Sequence, residues 1–561
     1  MTALNRRLLL LAAAAATVAV LAACAQTPVG SAANASAAPQ GTKPPKLIVF
    51  IAIDGLPVRQ VMNEREHFGP DGFRRFLDQG AWFSDAHYSH GFTVTAAGHS
   101  VMLTGASPWR SGMIANDWRD PITQAEVYNT GDTAYQYIGE KTAPLAGTSP
   151  RNLKVDTVGD VLRGVQPESK VISISGKDRG AILPGGHKGT AYMYMSETGH
   201  FASSTYYMPS HPQWVEAFNA AKPADKYFGQ TWSLALPESA YAGSAPFDAP
   251  WQVDAGNGKS LPVAITAGLS APGPKFYAAL LPSPFGDALT LEFARAAIQG
   301  EQLGADDKTD ILAISLSSHD YVNHAFGPES IMSQDHLLQL DRHLQAFFRD
   351  LDQRIGRDNY MLMLTADHGF ADTPEWAAAY GRDAGRVAPP DMIKAMNAAL
   401  VTRYGAGTWV KVPSATGFLF DEPLIRSHKL NADEVYATAQ AALKKVPGVA
   451  YVFTRTELAG NDVSDSVLVA MRKSWYPERA APLQVVLKPN WLQASKPQGS
   501  SHGTPYEYDT HVPLLSWGPT WVGKGEVKTP VAIVDIAPTL AGILGVPVPG
   551  GSEGRPLPLP R

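Results

Sequence analysis

Several stretches of this chain are almost unbroken runs of apolar residues that end on polar or acidic ones. "LIVFIAIDG" runs from Leu47 to Gly55. "KVISISG" starts at Lys170, "DILAISLSSHD" at Asp310, "NYMLMLTADHG" at Asn359 and "HVPLLSWG" at His511. A strand that alternates apolar and polar residues buries one face. A strand without alternation is buried on both, as in a parallel sheet covered on each side. Helical patterns lie between these runs, for example Gln334 to Arg354 and Val531 to Leu544. Strands alternating with helices predict an α/β fold: a mostly parallel central sheet with helices on both faces.

Two segments exceed what such a sheet needs. Residues from about 185 to 284 are rich in Tyr, Trp, Pro and Ser and read as an irregular insertion. Residues from about 374 to 499 contain "TGFLFD", then "ADEVYATAQAALKKV", then "VAYVFT". That β-α-β pattern predicts a small subdomain capping the site. The folded domain is expected over 47–555, with these two insertions.

The first residues follow a different pattern. Arg6 and Arg7 precede an apolar run, Leu8 to Ala23, too short for a membrane span and matching a secretory signal over 1–23. It ends in Leu21-Ala22-Ala23-Cys24, which resembles the bacterial lipoprotein signal, where the Cys becomes the lipidated first residue. Cleavage just beyond Cys24 is the alternative. Lipidation is favoured because Cys24 is the only cysteine, and a single cysteine also forbids an internal disulfide. Residues 24–46, rich in Ala, Ser, Pro and Gly, read as a flexible linker. The expectation is an exported, periplasmic protein held to a bacterial membrane only through a lipid on Cys24.

Composition narrows the partners. With 45% apolar and 18% charged residues among 561, the mixture is that of an ordinary globular protein. The formal charge of −5 becomes about −7 once Arg6 and Arg7 leave with the signal. No basic block points to nucleic acid, and an anionic ligand would need a local positive pocket. Oligomeric state is not set by any of these features.

The ends of the apolar runs carry the chemistry. Asp54 ends the first, Asp320 and His324 follow the third, and Asp367-His368 ends the fourth. Open α/β sheets bind ligands at the carboxyl ends of their strands. Singly, these residues read as turns or as a hydrogen-bonded pair on a helix face. Together they form a mixed oxygen and nitrogen donor set of the kind zinc prefers. The loop "SSHGTPYEYDTHVPLL" offers a sixth donor, either His502 or His511. "FTVTAAGHSVMLTG", Phe92 to Gly105, carries the hydroxyls of Thr93, Thr95, Ser100 and Thr104. "ANDW" contains Asn116. "ISGKDRGAILPGG" contains Lys177 and Arg179, which alone would read as a solvated turn.

In this order, these motifs resemble the alkaline phosphatase superfamily, in particular its type I phosphodiesterase/nucleotide pyrophosphatase branch. The likeness is greatest to bacterial alkaline phosphatases with a Thr nucleophile and a Lys-x-Arg pair, and it covers Leu47 to about Val546. The resemblance implies two zinc ions per subunit and no required magnesium. Asp320, His324 and His502 would hold one zinc, which selects His502 over His511. Asp54, Thr95, Asp367 and His368 would hold the other. It implies Thr95 as the nucleophile, at a strand-to-helix junction where the positive helix end meets phosphate oxygens. His99, four residues on, is expected to position other groups and not to act as a base. Asn116, Lys177 and Arg179 would bind substrate. The Lys-x-Arg pair suits a monoester dianion, whose extra anionic oxygen needs cationic partners. The expected function is hydrolysis of small phosphate monoesters through a phosphothreonine. A phosphodiesterase or nucleotide pyrophosphatase is the enzymatic alternative, and a surface-tethered binding protein with a degenerate site the other. A sulfatase is disfavoured, since "GASPWR" places Ala106 where an oxidisable Cys or Ser is needed.

Overall fold

Every residue of Leu47–Ile53 is buried, as is every residue of Val171–Ser175, Asp310–Leu316 and Tyr360–Thr365. Strands apolar on both faces are stable only inside a sheet covered on each side. The computed structural model, which describes residues 43–561, has these four side by side at the centre of a nine-stranded sheet. The signal segment, Cys24 and most of the linker lie outside the described residues.

In chain order the strands of this sheet are β1 Leu47–Ile53, β2 Ala81–Phe83, β3 Val171–Ser175, β4 Thr190–Met195, β5 His200–Ala202, β6 Asp310–Leu316, β7 Tyr360–Thr365, β8 Leu514–Trp517 and β9 Gly525–Val527. Their spatial order is β9-β2-β8-β7-β1-β6-β3-β4-β5. β7, β1, β6, β3 and β4 run parallel, while β8 opposes its neighbours and β5 opposes β4. Register matters most for the site. Ile53 pairs with Leu316, Ala52 with Thr365 and Ser315 with Ser175. The carboxyl ends of four adjacent strands therefore stand level, and the residues that follow them meet at one rim.

Packing fixes that rim. Ile331–Arg354 is capped by Ser330, whose side chain accepts from the Ser333 amide, and it buries Leu337, Leu344, Phe348 and Leu351 along one stripe. Each such side chain contributes about 1.5–3 kcal/mol through burial, offset by the entropy of ordering the chain.

The structure departs from the sequence reading in three places. Residues 185–284 are not irregular throughout, because β4 and β5 extend the main sheet. These two short strands stand at one end of the sheet, and only β5 is an edge strand. The apolar run from Val531 begins as a short strand, Val531–Ala532, then a 3-10 turn, and becomes α-helical only at Ile536–Leu544. Asp535 accepts from the Ala532 amide and so marks the helix start. Finally, no strand leads directly into Thr95. The last paired residues before it are Ala86–His87, and an irregular segment intervenes.

The second insertion folds around its own core, which includes Met396, Trp409, Phe420 and Tyr436. Its four-stranded sheet has the order Val410–Ser414, Gly417–Phe420, Leu483–Leu487, Val449–Thr454. The two strands of the predicted β-α-β pattern are thus separated by Leu483–Leu487, which pairs antiparallel with both.

Candidate metal centre and active site

Asp54 follows β1, and its amide donates to the Leu316 carbonyl at 2.9 Å. Gly55 then turns with φ +72°, a conformation open to glycine, and its amide donates to Asp367 Oδ1 at 3.0 Å. That contact ties the ends of β1 and β7 together. Helix Ser318–Phe326 begins just after β6, so Asp320 and His324 share one face a turn apart. The folded chain forms two donor clusters, Asp320/His324/His502 and Asp54/Asp367/His368, each with ligand atoms within 4.8 Å of one another. They adjoin, since the His368 and His502 rings stack at 3.4 Å. His511 lies elsewhere, stacked on His87 at 4.3 Å.

The imidazoles are oriented as ligands. His324 Nδ1 lies 2.9 Å from the Ser500 carbonyl, His368 Nδ1 2.9 Å from that of Gly369, and His502 Nδ1 2.8 Å from that of Thr93. In each ring, Nδ1–H donates to backbone and the Nε2 lone pair is left facing carboxylates. Nε2 lies 3.3 Å from Asp320 in His324, 3.7 Å from Asp320 in His502, and 3.6 Å from Asp54 in His368. Burial, followed by the neighbouring imidazoles, holds His502 well below its ordinary pKa, and burial lowers His368 too. Both rings are therefore neutral, the form that binds metal.

The donor atoms fit cations. Asp54 Oδ1, Asp320 Oδ1 and His368 Nε2 are buried without a hydrogen-bond partner. Such orphaned groups are costly unless an ion satisfies them. Burial, then Asp320 and Asp367, pushes Asp54 well above the usual carboxylate range. Burial opposes ionisation of Asp320 as well, but the Lys177 ammonium, foremost among its neighbours, outweighs it and holds it low. Bound divalent ions would relieve the mutual repulsion of the three carboxylates.

Thr95 opens helix Thr95–Thr104, whose residues are all buried. Segment 93–99 touches both clusters, through the Thr93 carbonyl on His502 and through His99. His99 Nδ1 lies 2.9 Å from the Thr95 carbonyl and 3.2 Å from Asp367 Oδ2, and its Nε2 lies 2.8 Å from Ser315 Oγ. This arrangement orients Asp367 and leaves His99 no free nitrogen for a base. The other hydroxyls of the segment are engaged with backbone carbonyls: Thr93 with Thr504, Ser100 with Ala97 and Thr104 with Ser100.

The anion-binding residues flank these clusters. Asn116 Oδ1 accepts from the Ala96 amide at 2.9 Å, which turns its amino group away from the helix start. Lys177 Nζ reaches Asp54 at 2.8 Å and Asp320 at 2.5 Å, bridging the two clusters. Arg179 donates through Nη1 to Tyr128 Oη at 3.1 Å, and Tyr128 donates to Asp178 at 2.6 Å. Thus Asp54, Asp320, His324, Asp367, His368, His502 and Lys177 meet at this rim, while His511 stands apart.

Some supports escaped the sequence reading. Tyr128 anchors Arg179, and Asn129 donates to the Asn116 carbonyl at 2.6 Å. Asp509 accepts from the Gly503 and Thr504 amides and holds the His502 loop, with burial pushing it up to about 7. "YEYDTH" gives a local turn signal for Asp509, but nothing in the sequence marks Tyr128.

Comparison with known proteins agrees with this geometry. Residues 48–511 match the family described as type I phosphodiesterase / nucleotide pyrophosphatase. Alkaline phosphatase PafA of Elizabethkingia meningoseptica is 34% identical over 517 residues, covering 91% of this chain and 94% of its own. Alkaline phosphatase PhoV of Synechococcus elongatus is 34% identical over 526 residues, covering 92% and 93%. The crystal structure of wild-type PafA superposes with a TM-score of 0.85 over 92% of this chain and 98% of that one, at 34% identity. A PafA variant substituted at a Thr, an Asn, a Lys and an Arg superposes with a TM-score of 0.84.

Proposed function

Since this chain belongs to the type I phosphodiesterase / nucleotide pyrophosphatase family, we propose that it is an alkaline phosphatase hydrolysing phosphate monoesters at a two-metal site with Thr95 as nucleophile. The observation that carries this reading is the meeting of two donor clusters from separate chain segments beside the start of helix Thr95–Thr104. Similarity to PafA and PhoV supports the monoester activity. The residue types altered in the PafA variant recur here, in the same order, as Thr95, Asn116, Lys177 and Arg179.

Zinc is the proposed metal, because three carboxylates and three imidazoles form a nitrogen-rich borderline donor set that magnesium does not favour. Asp320, His324 and His502 would hold one ion, and Asp54, Thr95, Asp367 and His368 the other. When bound, the ions supply Lewis-acid stabilisation of the apical oxygens and lower the pKa of the Thr95 hydroxyl.

Thr95 Oγ1 attacks phosphorus, the P–O ester bond breaks, and the alcohol departs with a proton. Water then displaces Thr95 from the phosphothreonine and releases inorganic phosphate. Asn116 donates to one non-bridging oxygen. Lys177 and Arg179 hold the remaining anionic charge, where fixed cations act most strongly on the transition state. A diester lacks that extra charge and gains less from them.

The test is rate on p-nitrophenyl phosphate against its bis-p-nitrophenyl diester. The monoester is expected to be preferred by orders of magnitude. Chelation should abolish turnover, zinc should restore it, and magnesium alone should not. Thr95→Ala should lower kcat by at least about a thousandfold. Wild-type rates in that variant would reject Thr95, and preference for the diester would reject the monoesterase assignment. Export and lipid anchoring through Cys24 belong to the same proposal.

A further inference from the structure

The chain enters helix Thr95–Thr104 without a strand to fix its approach, and Val94 at the helix start supplies no side-chain cap. Backbone amides in such a segment need acceptors from elsewhere. Gly91 and Phe92 find theirs in the second insertion. The Gly91 amide donates to the Ala470 carbonyl and to Ser474 Oγ, each at 2.9 Å, and the Phe92 amide donates to the same Oγ at 2.8 Å. Ala470 lies in the last turn of helix Ser466–Lys473, and the buried Ser474 caps that end. Carbonyls in a last turn have no partner within their own helix, so the helix end and the approach to Thr95 satisfy one another. The two also touch closely. A Cβ on Gly91 would lie 2.8 Å from Met471 Sδ and 3.1 Å from the Met471 amide nitrogen.

The helix is itself anchored in the insertion. Asp465 accepts from the Val467 and Leu468 amides at its start, and Arg472 donates to the carbonyls of Glu457, Leu458 and Asp462. Next along the chain, the His502 loop takes over. The Thr93 hydroxyl donates to the Thr504 carbonyl at 2.9 Å, and the Thr93 carbonyl lies 2.8 Å from His502 Nδ1. Successive residues before Thr95 are thus gripped first by the insertion and then by the metal-side loop.

We infer that Ser474 is a positioning residue for the nucleophile: its oxygen sets where the chain enters helix Thr95–Thr104, and through it the second insertion aims Thr95 Oγ1. Ser474 acts through the backbone of Gly91 and Phe92, not on substrate or metal. The inference rests on the reading of Thr95 as nucleophile and adds the part that holds it in line. Attack on phosphorus tolerates little misplacement, and a shift of about 1 Å can cost about a hundredfold in rate. Ser474→Ala leaves Gly91 its bond to Ala470 but strips the Phe92 amide of its acceptor. Asn116, Lys177, Arg179 and the carboxylate donors stand on other segments, so they keep their places.

The experiment measures kcat for p-nitrophenyl phosphate, the inhibition constant of inorganic phosphate, and zinc affinity by calorimetry, all in the full-length protein. Ser474→Ala should lower kcat by about ten- to a hundredfold, with phosphate inhibition and zinc affinity within about threefold of wild type. Gly91→Ala, which pushes the same segment off Met471 with Ser474 intact, should give the same signature, and it decides the matter if Ser474→Ala does not fold. In a Thr95→Ala background, adding Ser474→Ala should change the remaining rate by less than about twofold, because a residue acting through Thr95 then has nothing to aim. Wild-type kcat in both variants, zinc and phosphate binding lost in step with kcat, or full additivity with Thr95→Ala would overturn the inference and leave the hydrolase reading standing. Wild-type rates in Thr95→Ala would overturn both.

Discussion

Arg179 is half-buried, and its guanidinium is held from one side by Tyr128, whose hydroxyl is itself held by Asp178. A forked cation acts on an anion only if it is already aimed, because ordering it during the reaction costs side-chain entropy. Tyr128→Phe removes one hydrogen bond without changing shape. Loss of about 1–2 kcal/mol of positioning is expected, a drop of about tenfold in kcat/KM for monoesters and less for diesters. An equal loss on both ester types would mean that Tyr128 supports the fold instead of Arg179. At this scale the sequence offered candidates for the reacting groups but not their supports. Lys177-Asp178-Arg179 stood out as a motif, whereas Tyr128 lies fifty residues away and reaches Asp178 only in the folded chain.

Helix Thr95–Thr104 shows how an element serves the site. Gly98 lies where an added Cβ would come 2.0 Å from the Asp367 carbonyl oxygen. Helix propensity alone would make Gly98→Ala stabilising by about 1 kcal/mol. Contact with fixed backbone reverses the sign, so the variant should lose about 2–4 kcal/mol in denaturant unfolding and bind zinc more weakly as Asp367 shifts. Helix Pro284–Gly300 supplies another junction. Asp287, in its first turn, accepts from the Ser318 amide that begins the helix carrying Asp320. Burial, only partly opposed by that hydrogen bond and others from Ser317 and Ser318, pushes Asp287 up to about 7. An unfolded aspartate releases its proton near pH 3.9, so folding takes up a proton between about pH 4 and 7. Its stabilising contribution is complete below that interval and declines as pH rises through 7. Asp287→Asn should therefore flatten the fall in unfolding free energy between pH 5 and 8, by on the order of 2–4 kcal/mol. Identical pH profiles for wild type and variant would refute this.

The whole molecule carries a mild negative charge of −5, yet its proposed substrate is an anion. Attraction must then be local, from Lys177, Arg179 and bound metal, and should depend on salt less steeply than long-range steering would. Among the described residues no helix is long and apolar enough to cross a membrane. If attachment is through a lipid on Cys24, Cys24→Ser should move activity from the membrane pellet to the soluble fraction of the cell envelope, with kcat unchanged. Activity remaining in the pellet would exclude that anchor. The second insertion has its own core and still lends Met471 and Trp491 to the wall of a cleft that His324 and His502 also line.

Taken alone, the sequence determined the four central strands of the sheet and β8, the donor types and their order along the chain. Unbroken apolar runs admit few environments, and Asp-Gly, Asp-x-x-x-His and Asp-His placed after them are local patterns. Which histidine completed the metal cluster was open in the residues themselves and depended on a resemblance. Only the tertiary structure decided the register that levels β7, β1, β6 and β3, the wedging of Leu483–Leu487 between two insertion strands, and the meeting of Tyr128 with Arg179. Each of these is a contact between residues far apart in the chain. Local propensity and periodicity act over a few residues, whereas such contacts are selected by the packing of the folded core as a unit.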